Sequence, residues 1–428
     1  MLILRAQVIH TPRDPFAEGD GALESFSDGA VAISDDGRIL DTGAYAAVAA
    51  EYPDAPVADH RRSILLPGLV DTHVHYPQLG IVGAMGLPLL EWQQKSALPE
   101  ELRLSDPEHA RTLAHDFVRA LAANGTTSAL VFGAHYPAAQ EALFAEAERA
   151  GLRITSGLVV SDRNLHPELE LDPQAAYDSG RQLAERWHGR GRLRYAVSPR
   201  FALSCSEGML DSCGALNADI DGALVTSHLN EHPAEVELVA GLFGWSDDYL
   251  ATYERFNLVG PATVLAHNLH ATEPELTRLA AARASVAHCP ASNAFLGSGS
   301  FPLRAHLDHG VRVAIGTDVG AGTGLSVLKE ALLAYKMQMM RPDGARLGPA
   351  HLLWLATAAG ARALGLGDRV GDLQRGRAAD LVLISPPSGS TLASVLRHSD
   401  SAEQALGAVF ALAREESVAE VRVAGEAV

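Results

Sequence analysis

From residue 64 onward, short apolar runs rich in β-branched residues alternate with stretches whose apolar positions recur every three or four residues. The runs fall at 64–70, 126–133, 153–160, 193–201, 223–229, 263–269, 285–290 and 312–317. Continuous apolar runs of this length suit strands buried on both faces, and the helical periodicity between them supplies the crossovers that parallel strands need. Eight such units predict an α/β fold, a closed (β/α)8 TIM-like barrel, with an open doubly wound sheet as the lesser alternative. Two of the helices carry start signals. Ser105-Asp106-Pro107-Glu108 reads as a capping box with proline in the first turn; Ala110, Leu113, Ala114, Phe117, Val118 and Leu121 follow at helical spacing, and Gly125 offers a left-handed cap. Thr272-Glu273-Pro274-Glu275 repeats the box ahead of Leu276 and Leu279.

Outside this alternation the pattern changes to short extended segments broken by Gly, Asp and Pro: 2–9, 30–33 and 39–40 at one end, 371–373, 379–384 and 421–423 at the other. They predict a small β domain made from both termini, residues 1–63 plus 371–428, beside a catalytic barrel of residues 64–370.

In a (β/α)8 barrel, catalytic groups come from the C-terminal ends of the strands, which directs attention to the polar residues closing each run. The first run leads into Asp71-Thr72-His73-Val74-His75, where period-two alternation puts His73 and His75 on the same side. The fifth ends Ser227-His228-Leu229-Asn230-Glu231, the sixth Ala266-His267-Asn268, the eighth Gly316-Thr317-Asp318. Singly, each has a bland reading. His228 and His267 can be hydrogen-bonded core histidines, Asp318 a strand-end turn or helix cap, and Glu231 a solvated glutamate opening a helix. Together, His73, His75, His228 and Asp318 make a nitrogen and oxygen set that suits one zinc ion per subunit with an open position for water, and Fe2+ can substitute. Glu231, three residues beyond His228, is placed to shuttle protons, and His267 to polarise the water or a developing oxyanion. The fourth run ends Ser198-Pro199-Arg200-Phe201 and has no lysine to bridge a metal pair as a carbamate, which favours a single metal.

Other chemistry finds no support. There is no P-loop and no His-Glu-x-x-His helix; Gly320-x-Gly322-x-Gly324 lacks dinucleotide spacing, and Cys289-Pro290 is not followed by a second cysteine as in the small zinc deaminases. Of the 428 residues, 47% are hydrophobic and 20% charged, the balance of an ordinary globular enzyme. A formal charge of -18 argues against binding nucleic acid or anionic lipid, which calls for clustered Lys and Arg. Only three lysines occur: Lys95, Lys329 and Lys336. No apolar run approaches membrane-spanning length, no secretory leader is legible, and the three cysteines form no Cys-x-x-Cys pair, so a reducing, cytoplasmic setting without membrane attachment is expected.

These residues resemble the amidohydrolase superfamily and, more narrowly, the guanine deaminase family. The resemblance rests on Pro67-Gly68-Leu69-Val70-Asp71-Thr72-His73-Val74-His75-Tyr76-Pro77-Gln78, Leu89-Leu90-Glu91-Trp92, Ser198-Pro199-Arg200-Phe201, His288-Cys289-Pro290-x-Ser292-Asn293, the stretch from Gly316 to Thr323, and Gly376-Arg377-Ala378-Ala379-Asp380-Leu381. It implies zinc-dependent hydrolysis of guanine at C2 to xanthine and ammonia, in a homodimer. Asp318 would take the water proton while His267 orients the nucleophile, and Glu231 would protonate the ring nitrogen. Gln78 and Arg200 would hydrogen-bond the purine edge and Phe201 stack on its face, with Trp92, His75, His228, Glu231 and Asp318 also lining the substrate site. Where this family places aromatic residues after Trp92, the chain reads Lys95-Ser96-Ala97-Leu98-Pro99. That departure, in a long connection expected to act as a lid, leaves open a related aminohydrolase acting on a pterin, an aminotriazine or cytosine.

Overall fold

Eight parallel strands wind in chain order around a nearly closed barrel: β1 Leu69–His75, β2 Thr126–Phe132, β3 Arg153–Gly157, β4 Arg194–Pro199, β5 Leu224–Leu229, β6 Thr263–His267, β7 Ser285–His288 and β8 Arg312–Ile315. This computed structural model describes residues 1–428, the side chain of Asp20 excepted. A further two-residue strand, Val159–Val160, continues β3 and pairs with β4. The barrel closes where the chain leaves β8: the Asp318 N–H donates to the His73 carbonyl at 2.8 Å, and the His75 N–H to the Val319 carbonyl at 2.9 Å. Buried Asp71 holds the same seam, accepting from the Thr317 N–H at 3.0 Å and the Thr317 hydroxyl at 2.5 Å. Gly316 is required there, because a Cβ would lie 2.8 Å from the His73 Cβ.

The run 64–70, expected to be the first barrel strand, is divided between two sheets. Its first part ends the strand Val57–Pro67, which lies in a separate seven-stranded sheet built from both termini. That strand pairs in parallel with Leu2–His10 and antiparallel with Leu381–Ile384. At the Ile64–Pro67 end both faces are covered, Ile64 and Leu66 by the barrel core and Leu65 by the small sheet's own core, so that end reads as apolar throughout, like a barrel strand. Gly68 makes the crossing: a Cβ there would sit 2.2 Å from the Thr127 hydroxyl oxygen. The small sheet therefore reaches to Pro67, four residues past the expected boundary at 63.

Asp380, from the Gly376-to-Leu381 motif, ties the two parts together. Its carboxylate takes a two-point bond from Arg153 on β3, at 2.6 and 3.0 Å, and its carbonyl accepts the Gly68 N–H at 2.9 Å. The C-terminal region 371–428, assigned to the small β domain on three short extended segments, also carries helices. Helices Thr391–Leu396 and Ala402–Leu412 intervene, and the second packs on the barrel helices Val327–Met340 and Pro349–Ala356. Buried Ala405, Leu406, Val409 and Phe410 keep helical spacing, a signal that a strand-based reading passes over.

The helix after β1's long connection, Pro107–Ala123, is capped by Asp106 rather than by a box from Ser105. The Asp106 carboxylate accepts the Glu108 N–H at 2.9 Å, while the Ser105 hydroxyl turns back to the Leu102 carbonyl at 2.8 Å. The Thr272–Glu275 box forms as expected, and Gly125 takes a left-handed φ of 84°.

Candidate active site

Four side chains from three strand ends converge at the barrel's C-terminal mouth. His73 Nε2 and His75 Nε2 lie 3.3 and 3.2 Å from Asp318 Oδ1, the two imidazole nitrogens are 3.1 Å apart, and His228 Nε2 stands 3.3 Å from His75 Nε2. All four donor atoms fall within 4.8 Å of one another, and all four residues are buried. Nitrogens and an acidic oxygen this close, with no cation between them, repel unless protons or a metal ion bridge them.

Burial disfavours the charged, imidazolium form of each histidine. It holds His73 below its ordinary value, pushes His75 down to about 4, and holds His228 well below its ordinary value, so the imidazoles are neutral at pH 7. Burial alone would raise Asp318, but bonds from His73 and His75 reverse that and hold it ionised. Neutral imidazoles with one carboxylate are the protonation states a metal needs. His228 is also fixed from behind: its Nδ1 lies 2.7 Å from the Arg200 carbonyl, which leaves Nε2 free to face the cluster. A second grouping, His267 with Cys289 and Asp318, is less suited, because burial keeps the Cys289 thiol well above its usual range and therefore protonated.

The backbone turns sharply to present these groups. Of eight non-glycine residues with positive φ, four border this mouth: Asn230 (48°), His267 (74°), Asn268 (52°) and Asp318 (50°). A left-handed conformation costs an L-residue roughly 1–2 kcal/mol, and its concentration here marks the mouth as the place where the fold accepts strain.

Above the cluster lies a small pocket. It is lined by His75, His228, Glu231 and Asp318 together with Gln78, Arg200 and Phe201, and Leu89, Trp92, Gln93, Leu296 and Ala321 complete it. His267 sits behind this wall. Its Nε2 is 3.5 Å from Glu231 Oε2 and 3.7 Å from Asp318 Oδ2, and its Nδ1 is held 2.9 Å from Asn293 Oδ1. Glu231 is pushed well above the usual carboxylate range by burial and by the nearby charges of Asp318 and Glu235, which lets it carry a proton at neutral pH. All ten residues singled out in the sequence thus meet in one place.

Residues 64–428 match the model of the Amidohydrolase family. The chain belongs to the amidohydrolase family. It is 54% identical over 99% of its length, and 98% of the relative's, to a protein of Deinococcus radiodurans named probable guanine deaminase. Among solved structures, E. coli guanine deaminase superposes with a TM-score of 0.96 at 36% identity, covering 100% of this chain and 99% of that one. Guanine deaminase from Bradyrhizobium japonicum does so with a TM-score of 0.95 at 32% identity, covering 100% and 98%.

Two acidic side chains of this amidohydrolase, unremarked in the sequence, organise the site. Glu235 is fully buried; it accepts the Glu231 N–H at 3.0 Å, the His232 N–H at 3.2 Å and the Tyr249 hydroxyl at 2.6 Å, fixing the turn that carries Glu231. Glu101, 3% exposed, accepts from Gln78 Nε2 at 2.8 Å and from Arg200 at 2.9 Å to each oxygen, and lies 3.2 Å from His135 Nε2. Burial alone would raise its carboxyl, but the Arg200 charge and the bonds from His135 and Gln78 hold it well below the usual carboxylate range. In the sequence Glu100-Glu101 follows Pro99 at the opening of a helix and reads as a solvated first turn, so no local signal marks it.

The connection expected to act as a lid is packed rather than open. Ala97 is buried with Leu89, Trp92, Leu296 and Ala321, and a π-helical turn at Gln93–Ala97 directs Leu98–Leu102 inward. The pocket takes Leu89, Trp92 and Gln93 from this connection, and none of its wall from Lys95 to Pro99.

Proposed function

We propose that this amidohydrolase hydrolyses guanine to xanthine and ammonia, using one zinc ion held by His73, His75, His228 and Asp318. One juxtaposition carries the reading: Gln78, Arg200 and Phe201 line a single pocket together with His75, His228 and Asp318 of the cluster. Zinc suits three imidazoles and a carboxylate, and when bound it supplies the Lewis acidity that brings the pKa of water down to about 7. The chain's own residues do the rest. Phe201 offers a ring face for the base, and the Arg200 and Gln78 N–H groups meet its acceptor atoms. Asp318 takes the proton of the attacking water and His267 orients it. Glu231, whose protonated form is favoured by burial and by the charges of Asp318 and Glu235, delivers a proton to the ring nitrogen beside C2. The tetrahedral carbon then expels ammonia, the amine taking the proton held on Asp318 and the new hydroxyl returning its own to Glu231, so that water's oxygen replaces the amino group and no redox partner is needed.

No feature of the pocket favours the pterin, aminotriazine or cytosine alternative, since the residues that depart from the family pattern do not form its wall. The three cysteines are free and buried, which supports a reducing cytoplasm as the setting. Among the described residues no helix is long and apolar enough to cross a membrane. A homodimer, implied by the family resemblance, is checked by sedimentation. The deciding experiment is ammonia release by purified protein of known metal content from guanine, adenine, cytosine, pterin and melamine. Release from guanine alone, abolished by chelation and restored by zinc, is expected; release from another amine with silence on guanine refutes the substrate assignment.

A further inference from the structure

Gln78 and Arg200 come from opposite parts of the barrel, one just past β1 and one just past β4, yet they end on the same buried anion. Glu101 Oε1 accepts from both, Gln78 Nε2 at 2.8 Å and Arg200 Nη1 at 2.9 Å. Oε2 takes the same Arg200 nitrogen at 2.9 Å and faces His135 Nε2 at 3.2 Å. The carboxylate does not line the pocket, whereas Gln78 and Arg200 do. Its acceptor capacity is spent on two residues of the pocket lining and on His135.

Resting on the guanine reading above, we propose that Glu101 is a positioning residue that sets specificity for an oxopurine. A charged acceptor permits only one orientation of the Gln78 amide: the NH2 must face Glu101, and the oxygen then accepts the Gly320 N–H at 3.2 Å. Rotating the amide would set its oxygen against a carboxylate and its NH2 against an N–H. Arg200 in turn has Nη1 engaged, and its remaining N–H groups are donors only; Nε is buried with no partner. Glu101 thereby holds a recognising wall whose hydrogens come at a defined spacing, chiefly from Arg200, since the Gln78 NH2 also lies 3.4 Å from His75 Nδ1. A carbonyl oxygen or bare ring nitrogen satisfies such a wall, while an exocyclic amine in the same position sets N–H against N–H, the mismatch that leaves buried donors unpaired.

The test compares guanine with 2,6-diaminopurine, which keeps the 2-amino group and replaces the 6-oxo group by an amine, in wild-type, Glu101→Gln and Glu101→Asp proteins. Metal content and melting temperature are measured on each. The Gln variant removes the charge and frees the Gln78 amide to turn. Asp keeps the charge beside Arg200 but is one methylene too short to reach both partners. KM for guanine is expected to rise by about tenfold or more in Glu101→Gln, as loss of a charge-assisted hydrogen bond implies, with kcat falling less. The ratio of kcat/KM for guanine over 2,6-diaminopurine should fall by a similar factor, and Asp should lie between Gln and wild type. A folded, metal-loaded Gln variant with guanine KM within about threefold of wild type overturns the proposal. So does an equal loss on both substrates. Should the Gln variant not fold, the Asp variant carries the same readouts; failure of both to fold or hold metal makes the residue structural and overturns the proposal too. Wild-type protein inactive on guanine removes the underlying function reading, whereas an active wild type with an unmoved Glu101→Gln removes this inference alone.

Discussion

Glu231→Gln separates proton delivery from every other contribution Glu231 makes. The two side chains have the same shape, and Glu235 grips the turn through the Glu231 backbone N–H, at 3.0 Å, so the substitution leaves the pocket wall in place. What changes is the proton. In the wild type, burial and the charges of Asp318 and Glu235 favour the protonated carboxyl; an amide cannot transfer that hydrogen. A positioned acid or base is worth about 10²- to 10⁴-fold, or about 3 to 5 kcal/mol of barrier at 1.36 kcal/mol per decade. Turnover of guanine, followed by ammonia release, should fall by that factor while metal content by elemental analysis stays the same. Stability should move the other way or not at all, because a neutral amide is relieved of the burial and like-charge repulsion that the carboxyl suffers. The melting temperature is therefore expected to be no lower than wild type. Turnover within about tenfold of wild type would refute the shuttle role, since a residue that only fills space or accepts a bond is replaced well by glutamine. A large loss of metal would also refute it, by placing Glu231 among the groups that hold the ion.

Chelation should abolish activity and lower the melting temperature, both restored by zinc, because an ion bound only by the folded state stabilises it by mass action; an unchanged melting temperature after metal is removed would mean the four donors are not its site. Gly316→Ala forces a Cβ to within 2.8 Å of the His73 Cβ at the β8 to β1 seam. It should cost about 1 to 3 kcal/mol by denaturant unfolding and loosen metal retention on dialysis, since the seam sets the spacing of His73 and Asp318. The protein should also be acid-labile. Burial pushes His10 and His306 down to about 4 from an ordinary 6.5, and each has a ring nitrogen serving as acceptor, from the Leu373 N–H at 3.2 Å and the Asn268 amide at 2.9 Å. The unfolded chain takes up these protons first, so the stability is complete above about pH 6.5 and is lost as pH falls toward 4, about 2 kcal/mol per residue by pH 5. Urea midpoints at pH 7 and 5 measure it; His306→Gln should flatten the dependence, and an equal slope in that variant would contradict the assignment.

By itself the sequence determined the architecture and the candidate metal-binding set. Periodicity is a local property: eight apolar runs separated by helical spacing can bury themselves in few ways, and in a barrel their polar ends must share one mouth. His73 and His75 were legible because alternation within a strand places two residues apart on one side, and His228, His267 and Asp318 because each ends a run. The tertiary structure decided what depends on neighbours distant in sequence. Whether Ile64 to Pro67 belonged to the barrel turned on which sheet covered each face of an apolar strand, and pairing with Leu381–Ile384 supplied the answer. Glu101 and Glu235 looked like helix-opening glutamates, as Glu100 and many others do. Only the approach of Arg200, 99 residues from Glu101, and of Tyr249 toward Glu235 made them buried anions with assigned partners. A hydrogen bond is made in space, so the sequence could name the groups that meet at the mouth but not the carboxylates that hold them there.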